Sequence, residues 1–196
     1  MNICPQCGDG YDGDSNEPRL FVLCRPCVDK KLEKRVPELC KLTDRSRLPQ
    51  EQLRQVLSWD PASRKGMILV GPPGAGKTRC MWELVKERGL VEAAVLDSVS
   101  FGRDLARRYR EETAEDWLDS LGKEVPVVLL DDLGKLKLTE RVESELFGIV
   151  DQRYSNMLPI IATTQLSGDD LAGITSDNRG AAMVRRLRES CDVVQF

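Results

Sequence analysis

Between positions 71 and 78 the chain reads Gly71-Pro72-Pro73-Gly74-Ala75-Gly76-Lys77-Thr78. The spacing G-x-x-x-x-G-K-[ST] suits the cradling of a polyphosphate. Glycines let the backbone curl so that successive amides point inward at phosphate oxygens, and a helix starting there adds its positive N-terminal end. Lys77 offers a point charge to the β- and γ-phosphates, and Thr78 offers a hydroxyl to Mg²⁺. With Arg79, the segment makes Gly71, Pro72, Pro73, Gly74, Ala75, Gly76, Lys77, Thr78 and Arg79 the candidate contacts to a nucleotide such as ATP. The motif carries weight only between a strand and a helix, and the apolar run Gly66 to Val70 and the amphipathic stretch Lys77 to Arg88 meet that condition.

A second run, Val127-Val128-Leu129-Leu130-Asp131-Asp132-Leu133, is apolar until it ends in two acids. Such a run is a buried central strand, and ligands sit at the carboxyl ends of strands in open α/β sheets. Asp131 is thereby the candidate partner of Thr78 at Mg²⁺, and Asp132 the candidate for positioning or activating a water. Aspartates that cap the following turn are the alternative reading.

Cys4-Pro5-Gln6-Cys7 and Cys24-Arg25-Pro26-Cys27 are two CxxC pairs separated by 16 residues, the spacing of a Cys₄ zinc site. Four thiolates close a tetrahedron with no open position, so Zn²⁺ at Cys4, Cys7, Cys24 and Cys27 reads as structural. Redox use of the pairs is the competing reading, without a thioredoxin-like βαβ unit around them. The remaining cysteines, Cys40, Cys80 and Cys191, read as small apolar fillers. The sequence contains no histidine, which excludes histidine-containing zinc sites and histidine-dependent nucleophiles.

Positioning these groups requires an α/β domain. Short apolar runs at Gly66 to Val70, Ala93 to Leu96, Pro126 to Leu130, Leu158 to Ala162 and Asp192 to Phe196 alternate with amphipathic stretches at Lys77 to Arg88, Phe101 to Glu112, Glu140 to Tyr154 and Arg179 to Glu189. That alternation predicts a five-stranded parallel sheet flanked by helices. The expected organisation is a zinc-binding module at 1–36, a linker with short helices at 37–60 interrupted by Pro37 and Pro49, and an ATPase domain at 61–196. The 29 basic and 32 acidic side chains give a net charge of -3, so no overall basic field draws the chain to nucleic acid or membrane. Neither a signal-peptide core nor a membrane-spanning apolar run is evident, and a cytoplasmic protein without membrane contact is expected.

These motifs together resemble a family, the helicase-loader and transposition-helper branch of the AAA+ P-loop ATPases, whose members include DnaC, DnaI and IstB. The likeness runs from Gly66 to Phe196 through GPPGAGKT at 71–78, VVLLDDLG at 127–134, SELFGIVDQRY at 144–154, IIATTQLSGDDLAG at 160–173 and RGAAMVRRLRES at 179–190. The resemblance implies ATP hydrolysis. It places Gln165 at the sensor-1 position, where the family usually has Asn, and Asp132 where glutamate is commoner. It makes Arg186 the arginine finger that enters a neighbouring subunit's site, with Arg185 as the alternative and a solvated helix face as the competing reading. A finger acting in trans implies a homo-oligomer. Phe196 ends the last predicted strand, so neither a sensor-2 arginine nor a helical lid is expected within this sequence.

The implied partners are a replicative helicase and single-stranded DNA, or a transposase and duplex DNA in the transposition-helper reading; an adaptor with little turnover is the third reading. In the family the region matching Phe101 to Arg110 faces single-stranded DNA, although Leu105 and Tyr109 at i,i+4 also read as core. The basic residues Arg19, Arg25, Lys30, Lys31, Lys34 and Arg35 of the N-terminal module are interspersed with Asp9, Asp12, Asp14 and Glu17, so docking to a protein and contact with nucleic acid both fit.

Overall fold

Two-residue strands β1 (Asn2–Ile3) and β2 (Gly10–Tyr11) pair antiparallel around the first CxxC turn. The computed structural model describes residues 2–11, 23–97, 100–134, 139–173 and 179–196. Arg19, Asp12, Asp14 and Glu17 therefore lie outside the described residues. Helix α1 (Arg25–Arg35) starts within the second CxxC pair, with Cys24 as its N-cap and Pro26 in its first turn, where a missing amide costs nothing. It is followed by α2 (Glu38–Lys41) and α3 (Gln50–Leu57), each preceded by a proline.

The larger part follows the expected alternation. It comprises β3 (Gly66–Val70), α4 (Lys77–Arg88), β4 (Ala94–Asp97), α5 (Ser100–Arg110), α6 (Ala114–Lys123), β5 (Val128–Leu133), α7 (Glu140–Ser155), β6 (Ile160–Thr164), α8 (Gly168–Ala172), α9 (Arg179–Ser190) and β7 (Cys191–Gln195). The five strands β3 to β7 form one parallel sheet in the order β4-β5-β6-β3-β7. All five sequence-predicted strands are present, within two residues at their starts. Helix α6, which is not among the helices expected from the sequence pattern, packs Leu121 into the core.

Side chains alternate between two cores, as the period of a strand requires. Met67, Leu69, Leu129 and Ile161 meet Met81, Leu84 and Val85 of α4 on one face. Ile68, Val128, Leu130 and Ile160 meet Ile149 and Val150 of α7 and Val184 and Leu187 of α9 on the other. Cys40 and Cys80 fill the first core and Cys191 the second, as expected of apolar cysteines.

Residues 37–60 contain the short helices expected of a linker, but they do not cross open space. Val28, Leu32 and Val36 around α1, together with Cys40, Leu48, Leu53, Val56 and Trp59, join the same core as α4. Polar contacts reinforce the docking. Arg45 pairs with buried Glu83 at 2.6 Å and with Glu87 at 2.9 Å, while Lys86 also pairs with Glu83. Arg35 donates to the carbonyls of Val91 and Ala93 just before β4.

One cation fixes the rear of the sheet. Arg153 of α7 is fully buried and donates to the carbonyls of Leu121 (2.6 Å), Val125 (2.9 Å), Pro126 (3.2 Å) and Pro159 (2.9 Å). It thus ties α7 to the end of α6 and to the residues that lead into β5 and β6. Burial pushes its guanidinium pKa down to about 10.

Candidate nucleotide site and cysteine cluster

Because β6 lies between β3 and β5, the carboxyl ends of these three strands sit side by side, where an open α/β sheet takes its ligands. The loop leaving β3 is anchored by the Gly71 amide, which donates to Thr164 O at 3.2 Å. A Cβ at Gly71 would lie 2.7 Å from Phe196, so only glycine lets the chain pass there. Gly76 has φ +95° and is the N-cap of α4, a left-handed turn that aims the first helical amides at the loop. Lys77, 5% exposed, donates from Nζ to the carbonyls of Gly71 (2.6 Å) and Pro72 (2.8 Å). Burial holds its pKa below the ordinary lysine range, with the charges of Asp132 and Asp131 pulling the other way.

The floor of the site is an oxygen cluster. Thr78 donates from Oγ1 to Asp131 Oδ1 at 2.8 Å, and Thr163 donates to the same oxygen at 2.6 Å. Thr163 Oγ1 in turn accepts from the amide of Asp132 at 2.8 Å. Asp132 adopts φ +56°, in the left-handed region, where the pairing of β5 with β6 shifts register between Leu130 and Leu133. This local kink turns successive acids in different directions. A carboxylate and a hydroxyl converging on one point are hard oxygen donors of the kind magnesium takes, so Thr78 and Asp131 fit that ion.

Beside the loop opens a cleft of about 660 Å³, a size suited to a nucleotide. The loop from Pro73 to Arg79, Asp132 and Gln165 line one side, and Leu39, Leu42, Asp44, Arg47 and Pro49 line the other. Arg79 also reaches Thr43 at 3.3 Å. The sequence-predicted loop, Asp131, Asp132 and Gln165 are therefore brought together. Gln165 is exposed at the end of β6, on the cleft wall. The wall contributed by residues 39–49 was not foreseen, because its side chains carry no phosphate-binding signature.

Arg186 is not brought to the cleft of its own chain. It lies on α9, 18% exposed, with Nε 2.5 Å from Asp151 Oδ1 and its guanidinium 4.9 Å from the centre of the Phe147 ring. Arg185 projects outward at 69% exposure, 3.9 Å from Glu189. On α5 the apolar stripe, Phe101 and Leu105, is core, and Tyr109 donates to Glu145. Arg108 stacks on Trp117, while Arg103 and Arg110 are exposed.

At the other end of the chain, one sulfur each of Cys4, Cys7, Cys24 and Cys27 lie within 4.8 Å of one another. Cys7 and Cys24 sulfurs are 3.5 Å apart. Tetrahedral zinc with bonds of about 2.3 Å separates its sulfurs by about 3.8 Å, so this set fits the ion. Burial resists ionisation of Cys4, but the amides of Cys24, Cys7 and Gln6 outweigh it and bring the thiol down to about 6. The cluster is joined to the rest of the fold by Arg25, which donates to the carbonyls of Lys86 (3.1 Å) and Glu87 (3.3 Å) at the end of α4.

A glycine loop between strand and helix, a buried lysine inside it and an acid pair at the end of the next strand but one of a five-stranded parallel sheet define a P-loop ATP-binding protein of the AAA+ type. Residues 33–196 match the model of the IstB-like ATP binding protein family, and the chain belongs to that family. It is 33% identical over 110 residues to the replicative helicase loader DnaI of Bacillus subtilis (strain 168), covering 55% of this chain and 35% of that protein. It is 28% identical over 143 residues to the ATP-binding protein assigned to insertion sequence IS5376 of Geobacillus stearothermophilus, covering 70% of this chain and 56% of the relative. The chain thus spans a third to just over half of the length of these curated relatives.

Among solved structures, DnaI superposes with a TM-score of 0.61 at 23% identity, covering 85% of this chain and 93% of that one. The DnaC helicase loader does so with 0.59 at 24%, covering 74% and 86%. At these identities the likeness concerns the fold. Among the described residues no helix is long and apolar enough to cross a membrane.

Proposed function

We propose that this chain hydrolyses ATP and, as an oligomer in the cytoplasm, delivers a replicative helicase to single-stranded DNA. The observation that carries the catalytic part is the convergence of Lys77, Thr78 and Asp132 on one cleft, with Asp131 hydrogen-bonded to Thr78. Lys77 exchanges its loop carbonyls for phosphate oxygens, and the amides of residues 74–78 hold the remaining charge. Thr78 and Asp131 would hold a magnesium ion, which would supply positive charge to the phosphates. Thr163 fixes the rotamer of Asp131 and the backbone of Asp132 together, so that one acid is reserved for the metal and the other for the attacking water. Gln165, on the cleft wall, orients that water or the γ-phosphate. Arg186 of an adjoining protomer stabilises charge that develops on the transferred phosphoryl group.

The delivery of a helicase is supported by the relative named a replicative helicase loader. The N-terminal cysteine cluster, holding structural zinc, serves in this reading as the docking module. A second reading, a transposition helper acting on duplex DNA, is favoured by the insertion-sequence relative, whose alignment covers more of this chain.

The test is phosphate release from ATP over a protein-concentration series, with single-stranded or duplex DNA, comparing wild type, Lys77→Ala and Arg186→Ala. Specific activity that rises with concentration, responds to single strands and is lost in both variants supports the proposal. A response confined to duplex DNA moves the assignment to the second reading. Tight ATP binding with no turnover under any condition refutes hydrolysis and leaves a nucleotide-dependent adaptor.

A further inference from the structure

The α7–α9 contact holds a pair of polar rungs. Asp151 and Tyr154 stand one turn apart on α7, and Arg186 and Glu189 one turn apart on α9. Asp151 meets Arg186 at 2.5 Å, and the Tyr154 hydroxyl donates to Glu189 at 2.6 Å. The two rungs differ in what they hold. Tyr154–Glu189 joins two exposed groups. Asp151–Arg186 is an ion pair without a hydrogen bond from Nε to a described residue, and it holds a guanidinium that is 18% exposed and lies over the Phe147 ring. Its neighbours Arg185 and Arg188 are 69% and 61% exposed. Among contacts to described residues, Arg186 is the one of these three arginines held from two sides.

We infer that Asp151, by ion pairing, and the ring of Phe147, by lying against the guanidinium, are positioning groups that hold Arg186 ready for an adjoining protomer's nucleotide. This inference rests on the reading of Arg186 as a finger acting in trans. The physical basis is pre-organisation. An unrestrained arginine samples many rotamers and must lose that freedom as the phosphoryl group transfers, whereas one held between a carboxylate and an aromatic ring has lost much of it beforehand. Fixed donors act on charge that develops during transfer more than on ground-state ATP, so the clamp affects turnover and leaves ATP affinity almost unchanged. Misplacement by about 1 Å costs on the order of 100-fold in rate.

The test mixes protomers. Lys77→Ala protomers carry an intact Arg186 but no competent phosphate site, and Arg186→Ala protomers carry the reverse. Lys77→Ala is expected to restore ATP turnover when added to Arg186→Ala. The donor Lys77→Ala/Asp151→Asn is expected to restore about a tenth of that rate or less, at unchanged KM for ATP. The donor Lys77→Ala/Tyr154→Phe, which removes only the neighbouring rung, is expected to restore it fully.

If the Lys77→Ala donor restores nothing, the reading of Arg186 as a trans finger fails. If it restores turnover and the Asp151→Asn donor does equally well, that reading stands and the positioning role is overturned. Equal losses from Asp151→Asn and Tyr154→Phe would assign the effect to helix packing and also overturn it. Should Asp151→Asn fail to fold, Asp151→Glu keeps the charge but moves the guanidinium by a methylene; unimpaired donation by that variant would overturn the proposal as well.

Discussion

Replacing Arg153 by leucine removes a single cation from the rear of the sheet and strands the groups it serves. Pro159 O keeps a second donor, the amide of Val128 at 3.3 Å. Leu121 O, Val125 O and Pro126 O have no other hydrogen bond to a described residue. A buried carbonyl left without a donor costs about 1–3 kcal/mol, so three of them amount to roughly 3–9 kcal/mol. Against this stands relief of the desolvation that already pulls the Arg153 pKa down to about 10. The balance is a loss of about 3–5 kcal/mol, the range seen when one partner of a buried charged network is deleted. For a chain of this size each kcal/mol lowers the melting temperature by about 2–4 °C, so Arg153→Leu should melt about 10 °C below wild type. Arg153→Lys retains a charge but cannot reach four carbonyls from one ammonium with three protons, and should fall between the two. Calorimetry or circular dichroism with heating reads the result. A leucine variant melting within about 2 °C of wild type would refute the idea that these carbonyls depend on Arg153.

Thr163→Val removes the hydroxyl that bridges Asp131 and the Asp132 amide while keeping the shape of the strand. Turnover should fall about tenfold or more with ATP affinity little changed, since the loss concerns the orientation of the two acids rather than the phosphate loop; fluorescent-nucleotide binding alongside phosphate release separates the two. Metal analysis of the purified protein should find one zinc per chain, and Cys24→Ser should lose it together with protease resistance at the N-terminal segment. Glu83→Gln should lower the melting temperature and expose residues 37–60 to hydrogen exchange earlier than wild type, because Arg45 and Lys86 both depend on that buried carboxylate.

The phosphate loop was legible because every part of its chemistry lies within nine consecutive residues, flanked by a strand and a helix of unmistakable period. Asp131 was legible for a related reason, as the first acid after an apolar run. Thr163 was not, because its role comes from lying opposite Asp131 on the neighbouring strand, a relation created by strand order and by the register shift beside Asp132. Arg153 sat within a motif that served only to mark the family; its four acceptors come from separate segments and have no linear signature. Residues 37–60 read as a linker because prolines and charges dominate them, yet Leu53, Val56 and Trp59 are buried, and the charges on Arg45 find partners on α4. From sequence Arg186 fits either a finger or a solvated helix face, and the Asp151 contact is inconsistent with a freely solvated side chain.

The contact of Arg25 with the end of α4 has a mechanical side. Helix α4 is 12 residues long, a stiff rod of about 18 Å. Its leading end carries Lys77 and Thr78, and its trailing carbonyls are gripped by the arginine that stands between Cys24 and Cys27. The cysteine cluster is thus bolted to the far end of the same lever that bears the phosphate-binding lysine. Movement of the N-terminal module therefore bears on the helix that carries Lys77 and Thr78 at its other end.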